Sequence, residues 1–201
     1  MTQDPVAAGF SVKPVLTGER TVLRPFTAAD ADTMAEIIDD PEVRRFTGES
    51  PNFLTRDFLR SWYGSRSAQP DRLDLAVTDR LTGELVGEVV LYDWAPAHRS
   101  CTFRTLLGPA GRGRGIGTEA VRLIVGHGFD HVGLHRIALD LFSHNDRARH
   151  VYVKVGFVEE GVTRQSVLRD GEWYDETLMS ILAPEWAEHG GRPNGLVSRA
   201  R

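Results

Sequence analysis

Apolar positions change period several times along the chain, and each change marks a new element. Residues 20–26 (RTVLRPF) alternate as a strand that Pro25 closes. Thr27 is a good N-cap, and Met34, Ile37 and Ile38 fall at helical spacing over residues 28–39, with Pro41 ending that helix. Residues 55–63 predict a second helix with Phe58, Leu59 and Trp62 on one side. Residues 73–78 (LDLAVT) and 85–94 predict two strands joined by a turn around Gly83, hence an antiparallel hairpin. Residues 102–107 form a third strand that stops at Gly108-Pro109. The stripe Ile116, Ala120, Leu123, Ile124 and Phe129 predicts a helix over 115–131, followed by a strand over 136–142 (RIALDLF) and a short helix over 145–155. Residues 157–168 and 172–182 predict a last hairpin around Asp170-Gly171. Only the central strand–helix–strand unit can be parallel. The prediction is an α/β fold with a mixed, mostly antiparallel sheet of about seven strands and about four flanking helices, not a doubly wound one. Residues 1–15 read as a loose lead-in, 16–184 as one domain, and 185–201, with three Gly, a Pro and three Arg, as a frayed tail.

Composition narrows the classes. With 201 residues the chain can build one domain with a sizeable core, and 41% hydrophobic with 26% charged residues is ordinary for a globular protein. The net charge of -4, with no stripe of Lys or Arg, argues against a nucleic-acid partner. No apolar run reaches the roughly 20 residues of a membrane helix, and Met1-Thr2-Gln3-Asp4-Pro5 lacks the features of a signal peptide. Cys101 is the sole cysteine, which excludes an intrachain disulfide and reads as a small buried apolar residue. These features point to the cytoplasm. His127, His131 and His135 stand four apart, but Gly133 ends the helix before the third, so they read as helix surface and exit rather than as a metal site.

The sharpest signal is Arg112-Gly113-Arg114-Gly115-Ile116-Gly117-Thr118, between a strand and a helix. A helix N-terminus presents free N–H groups and partial positive charge, and glycines let backbone approach an anion, so the segment predicts a pyrophosphate site, with Arg112 and Arg114 adding charge. Residues 115–120 also fit the G-x-G-x-x-A dinucleotide fingerprint, with Asp140 at a suitable distance downstream. Against that reading, an antiparallel hairpin precedes the turn, and Asp140 lies inside its strand rather than at its end. A tight turn with no ligand is the remaining alternative.

The motif Arg112-x-x-Gly115-x-Gly117 resembles the acetyl-CoA pyrophosphate motif of GNAT N-acetyltransferases. Leu16-Thr17-Gly18-Glu19-Arg20, Leu23-Arg24-Pro25 and Asp30-Ala31 resemble the opening of that family's ribosomal-protein N-terminal (Rim-type) branch, and Asp40-Pro41-Glu42-Val43 the segment after its first helix. Asn145-Asp146-Arg147-Ala148, Tyr152 and Gly156-Phe157 resemble the helix after its central parallel strand, and Gly161 with residues 171–182 its closing hairpin. The resemblance spans residues 15–186.

The resemblance implies two central strands, 102–107 and 136–142, splayed around the pantetheine arm of acetyl-CoA, with an amide edge at Thr105, Leu106 and Leu107. It implies cofactor contacts from Arg112, Gly113, Arg114, Gly115, Ile116, Gly117, Thr118, Asn145, Arg149 and Tyr152. Tyr152 is the implied general acid toward the departing thiolate, though it also fits a core stripe with Ala148 and Val155; Asn145 also fits a helix N-cap. Many relatives carry a glutamate on the strand before the turn. Residues 101–107 carry no carboxylate, so Glu88 is the candidate base, buried on a largely apolar strand, with Asp93 in reserve. Arg44, Arg45, Phe46, Trp62, Tyr63, Trp94, Trp173 and Tyr174 fall on the implied acceptor side. The implied reaction is transfer of acetyl from acetyl-CoA to a primary amine, a protein N-terminal α-amine or a small molecule, with no metal, in a chain that forms a homodimer in many relatives. An acyl-CoA-binding module without turnover and a nicotinamide enzyme are the competing readings.

Overall fold

Eight strands form a single sheet in the computed structural model, which describes residues 10–47 and 55–190. They are β1 (Leu16–Thr17), β2 (Thr21–Pro25), β3 (Leu73–Asp79), β4 (Leu85–Ala95), β5 (Ser100–Leu107), β6 (Arg136–Phe142), β7 (Val158–Arg169) and β8 (Glu172–Leu182), in the spatial order β1-β2-β3-β4-β5-β6-β8-β7. Every neighbouring pair is antiparallel except β5 with β6. The strand beyond the expected seven is β1. Its two residues are too few to show a period, and it pairs Leu16↔Leu23 and Thr17↔Val22 across the turn at Gly18.

The helices are α1 (Ala31–Asp39), α2 (Pro41–Thr47), α3 (Arg56–Arg66), α4 (Ile116–His127) and α5 (Asp146–Val155). The first helix stops just before Pro41, as expected, and Pro41 also opens α2. Asp40 leaves helical geometry at ψ 131°, and its Oδ1 accepts from Val43 N at 3.0 Å. Proline lacks the N–H that a first helical residue would leave unpaired anyway, so this position suits it. The stripe expected over 115–131 divides into α4 and a wider turn, Gly128–Val132, which Gly133 stops at φ 77°.

Apolar side chains pack on both faces of the sheet. Ile116, Ala120 and Ile124 of α4 and Tyr152 and Val155 of α5 join Leu75, Val77, Leu91 and Ile137 on one face. Met34 and Ile37 of α1 and Leu59 and Tyr63 of α3 cover Ala76 and Leu106 on the other. All seven positions of β3 are therefore buried, whichever way the side chain alternates. The described parts of both termini pack as well. Phe10 is fully buried, 5.3 Å from the Trp94 ring, a burial that stabilises by about 2 kcal/mol. Trp186, after the turn Ala183–Glu185, is buried near Phe129.

The turn between β1 and β2 is fastened to α4. Glu119, in the first turn of α4, accepts from the backbone N–H groups of Glu19, Arg20 and Thr21 at 2.9, 2.8 and 2.8 Å. A Cβ at Gly18 would lie 2.5 Å from the Glu119 carboxyl carbon, so a larger residue would have to displace the carboxylate that fastens the turn.

Candidate active site

The parallel strands β5 and β6 stay together for three residue pairs, Ser100↔Arg136, Cys101↔Ile137 and Thr102↔Ala138, and then separate. Each keeps its outer neighbour: β5 follows β4 to Gly87↔Leu107, and β6 follows β8 to Phe142↔Glu176. Gly108 N–H donates to Val86 O at 2.9 Å. Counted back along the antiparallel register, residues 104 and 106 direct their backbone groups to β4, and Thr105 and Leu107 direct theirs into the gap. The Leu107 carbonyl accepts from Arg112 Nε at 3.0 Å. The gap opens into a cleft of about 1030 Å³ lined by both strands, the glycine turn, α5 and the face of α2 and α3.

At one end of the cleft lies the glycine turn. Gly113 and Gly115 adopt φ 71° and 80°, a region that side-chain-bearing residues disfavour. Gly115 is the N-cap of α4 and offers no capping side chain, so the first N–H groups of the helix are left uncapped at a turn that borders the cleft. A Cβ at Gly113 would meet nothing within 4 Å. This is open, amide-lined space that fits a pyrophosphate. Ile116 is buried in the core and is not part of the cleft lining, while Gly117 and Thr118 line the cleft.

Of the two arginines of the turn, Arg112 lines the cleft, and both are paired with carboxylates. Arg112 turns inward, with Nη2 2.6 Å from Asp40 Oδ1 and Nη1 3.1 Å from Glu42 Oε2. Arg114 Nη1 donates to Ala110 O at 3.1 Å, and its Nη2 lies 2.5 Å from Asp79 Oδ2 in a charge contact without hydrogen-bond alignment. Both side chains brace the turn, and the carboxylates of Asp40, Glu42 and Asp79 offset their charge. Arg149 pairs with Glu159 of β7 and is absent from the cleft wall.

Along the middle of the cleft stand Asn145, Tyr152, Asp140 and Glu88. Asn145 caps α5, its Oδ1 accepting from Ala148 N at 3.2 Å, and its amide group also lines the cleft. Tyr152 is buried beside Phe103 and Phe157. Burial, and then the charge of Asp140, push its hydroxyl pKa well above the usual tyrosine value, so it keeps its proton at neutral pH. Glu88 is 4% exposed as expected, but it is not a free carboxylate: Oε1 accepts from Arg104 Nη2 at 3.0 Å and Oε2 from Tyr63 Oη at 3.3 Å. Asp140 is exposed to the cleft, has no ion-pair partner among the described residues, and acts electrostatically on both Tyr152 and Tyr92. Sequence spacing proposed Asp140 only as a ribose ligand. The signal for its present position was its place in the period-two alternation, opposite the buried Leu139 and Leu141.

Trp62 and Tyr63 line the cleft, with Phe46. Trp94 packs on Phe10 instead, and Trp173 lies exposed on β8. Arg44, Arg45 and Tyr174 line a separate cavity with His144 and Arg169. His127 and His131 stack at 5.2 Å, and among the described residues no group of three His, Cys, Asp or Glu could hold a metal ion. No described helix is long and apolar enough to cross a membrane.

Comparison with known proteins agrees with this geometry. Residues 20–158 match the acetyltransferase (GNAT) domain. The probable N-acetyltransferase YjcK of Bacillus subtilis is 32% identical over 180 residues, covering 85% of this chain and 98% of that protein. Spermidine N(1)-acetyltransferase of Escherichia coli K12 is 26% identical, covering 83% and 89%. The structure of Mycobacterium smegmatis RimJ in complex with CoA-disulfide superposes with a TM-score of 0.77 at 25% identity, covering 87% and 90%. The chain belongs to the GNAT family and is an acetyl-CoA-dependent N-acetyltransferase.

Proposed function

We propose that this enzyme acetylates a primary amine, a protein N-terminal α-amine or a small-molecule amine, by direct attack within a ternary complex. One observation carries the reading: the gap between β5 and β6 joins the turn at Gly115 to the carboxylate of Asp140, which has no ion pair among the described residues, and to a buried protonated phenol, Tyr152. Acetyl-CoA supplies the thioester. The N–H groups of the turn hold its pyrophosphate, and the backbone of Thr105 and Leu107, with the Asn145 amide, orients its arm.

An amine must lose its proton before it can attack. Asp140 attracts the ammonium form and takes that proton, directly or through water. Glu88, with both oxygens engaged, positions Arg104 and Tyr63 on the acceptor wall. Tyr152 faces a thiolate whose conjugate acid has a pKa of about 8.5. With its own pKa raised, it stabilises the departing sulfur by hydrogen bonding, because complete proton transfer would be uphill.

Two acceptors stay in view. The Asp140 charge and the aromatic wall of Trp62, Tyr63 and Tyr92 suit a small cationic amine, as in the spermidine relative. The likeness to RimJ and the Rim-type opening at Leu16–Arg24 support a protein N-terminus. Exposed Val162, Leu168 and Trp173 on β7 and β8 support a homodimer, and the composition supports a cytoplasmic location.

Thermal denaturation with saturating acetyl-CoA, CoA or NAD tests the cofactor. A ligand at 100 times its Kd adds about 2.7 kcal/mol, a shift of a few degrees, expected for both CoA species and not for NAD. CoA release across a panel of polyamines and short peptides then separates the acceptors. Binding with no release on any amine would instead establish a CoA-binding module.

A further inference from the structure

We propose that Arg20, outside the glycine motif, supplies the guanidinium that binds a phosphate group of the cofactor. The inference rests on the cofactor reading above and extends it to a residue that the motif does not contain. The two arginines of the turn are committed: Arg112 is 17% exposed and held by Asp40 and Glu42, and Arg114 is set against Asp79. Their charge is offset by these carboxylates before any ligand arrives.

Arg20 comes to the same turn from the other side. Its Cδ and Nε lie 3.4 and 3.6 Å from the position a Gly115 Cβ would take, which sets the arginine stem directly against the turn. The Arg20 backbone cannot drift, because its N–H donates to Glu119 Oε2 at 2.8 Å and its carbonyl accepts from Arg80 N at 2.9 Å. The side chain is 57% exposed, and its one ion pair among the described residues is with its neighbour Glu19 at 3.6 Å, itself 80% exposed. Such a surface pair is weak and readily exchanged for a doubly charged phosphate, which guanidinium binds bidentately. A pinned backbone with an exposed, weakly paired guanidinium beside an anion-binding turn is the arrangement that binding requires.

Calorimetric titration tests this with CoA, 3′-dephospho-CoA and phosphate-free pantetheine, on wild type, Arg20→Gln, Arg20→Lys and Glu19→Gln. Arg20→Gln should weaken CoA about 10- to 100-fold, the range for a lost charge-assisted hydrogen bond, with Arg20→Lys intermediate and Glu19→Gln slightly tighter than wild type. If the penalty disappears with 3′-dephospho-CoA, the ribose phosphate is the partner; if it persists, the pyrophosphate is. Pantetheine binding should not respond to Arg20→Gln. CoA affinity of Arg20→Gln within twofold of wild type, or an equal loss with pantetheine, overturns the role of Arg20 and leaves the cofactor reading intact. A folded wild-type protein that binds neither CoA species overturns both.

Discussion

The two walls of the cleft treat their acidic residues in opposite ways. On the β4–β5 side, Glu88 is buried and both its oxygens are engaged by Arg104 and Tyr63. On the β6 side, Asp140 reaches the cleft with no ion pair among the described residues. The difference follows from how each strand is covered. β4 lies mid-sheet under α1 and α3, where an ionised carboxylate must be paired. β6 borders the gap, where its inward-facing positions meet solvent. A carboxylate that is already paired contributes structure, and one left open can exchange a proton.

Substitution can break this contrast at several strengths. The largest effect belongs to Asp140→Asn, for which kcat/KM should fall about 10²- to 10⁴-fold while the ligand-free melting temperature holds. A variant within threefold of wild type would return the proton-accepting role to Glu88 or to water. Tyr152→Phe keeps the ring against Phe103 and Phe157 and removes only the hydroxyl. It should lower kcat about 10- to 100-fold with unchanged CoA affinity; a drop in affinity alone would make Tyr152 a packing residue.

Glu88→Gln tests the opposite wall. The amide cannot satisfy Arg104 as a carboxylate does, so stability should fall by about 1–3 kcal/mol in urea denaturation, while kcat/KM changes less than about tenfold. Arg104 is 42% exposed, which places the loss toward the lower figure. A severe rate loss at full stability would reverse the assignment.

The smallest effect lies beyond the cleft, at the fully paired end of β6. Hydrogen bonds from Arg136, then from Ser180, hold the Glu160 carboxyl at a pKa of about 2. Its folded pKa is depressed, so its stabilisation is present above the ordinary carboxylate value and is lost as pH falls from there through about 2. Glu160→Gln should therefore be slightly less stable at neutral pH and lose less on acidification, by well under 1 kcal/mol, because the side chain is 40% exposed. Parallel pH–melting curves for the two proteins would show that the pair contributes nothing.

What the sequence revealed follows the range of the interactions involved. The glycine turn, the succession of strands from β2 to β8 along the chain and the cap at Asn145 are local patterns, and each was legible from a few adjacent residues; the spatial order that sets β8 between β6 and β7 was not. The short strand β1 was not, because two residues carry no period. The state of each charged group was not either. Arg112 is met by Asp40 and Glu42, and Arg114 by Asp79; the partners stand tens of residues away in the chain. Glu88 and Asp140 look alike as acidic residues within strands, and the cover over each strand, with the positions of Arg104 and Tyr63, separates them.

The tether from Glu119 to the β1–β2 turn has a consequence for how the chain acquires its structure. The three hydrogen bonds join residues 98 to 100 positions apart. As the chain leaves the ribosome, the first hairpin must wait until more than half the protein has been made before its turn amides find their acceptor. Contacts of such separation close late and slowly. Glu119→Ala should therefore show itself in the unfolding rate more than in the folding rate, because the contact forms after the main barrier has been crossed.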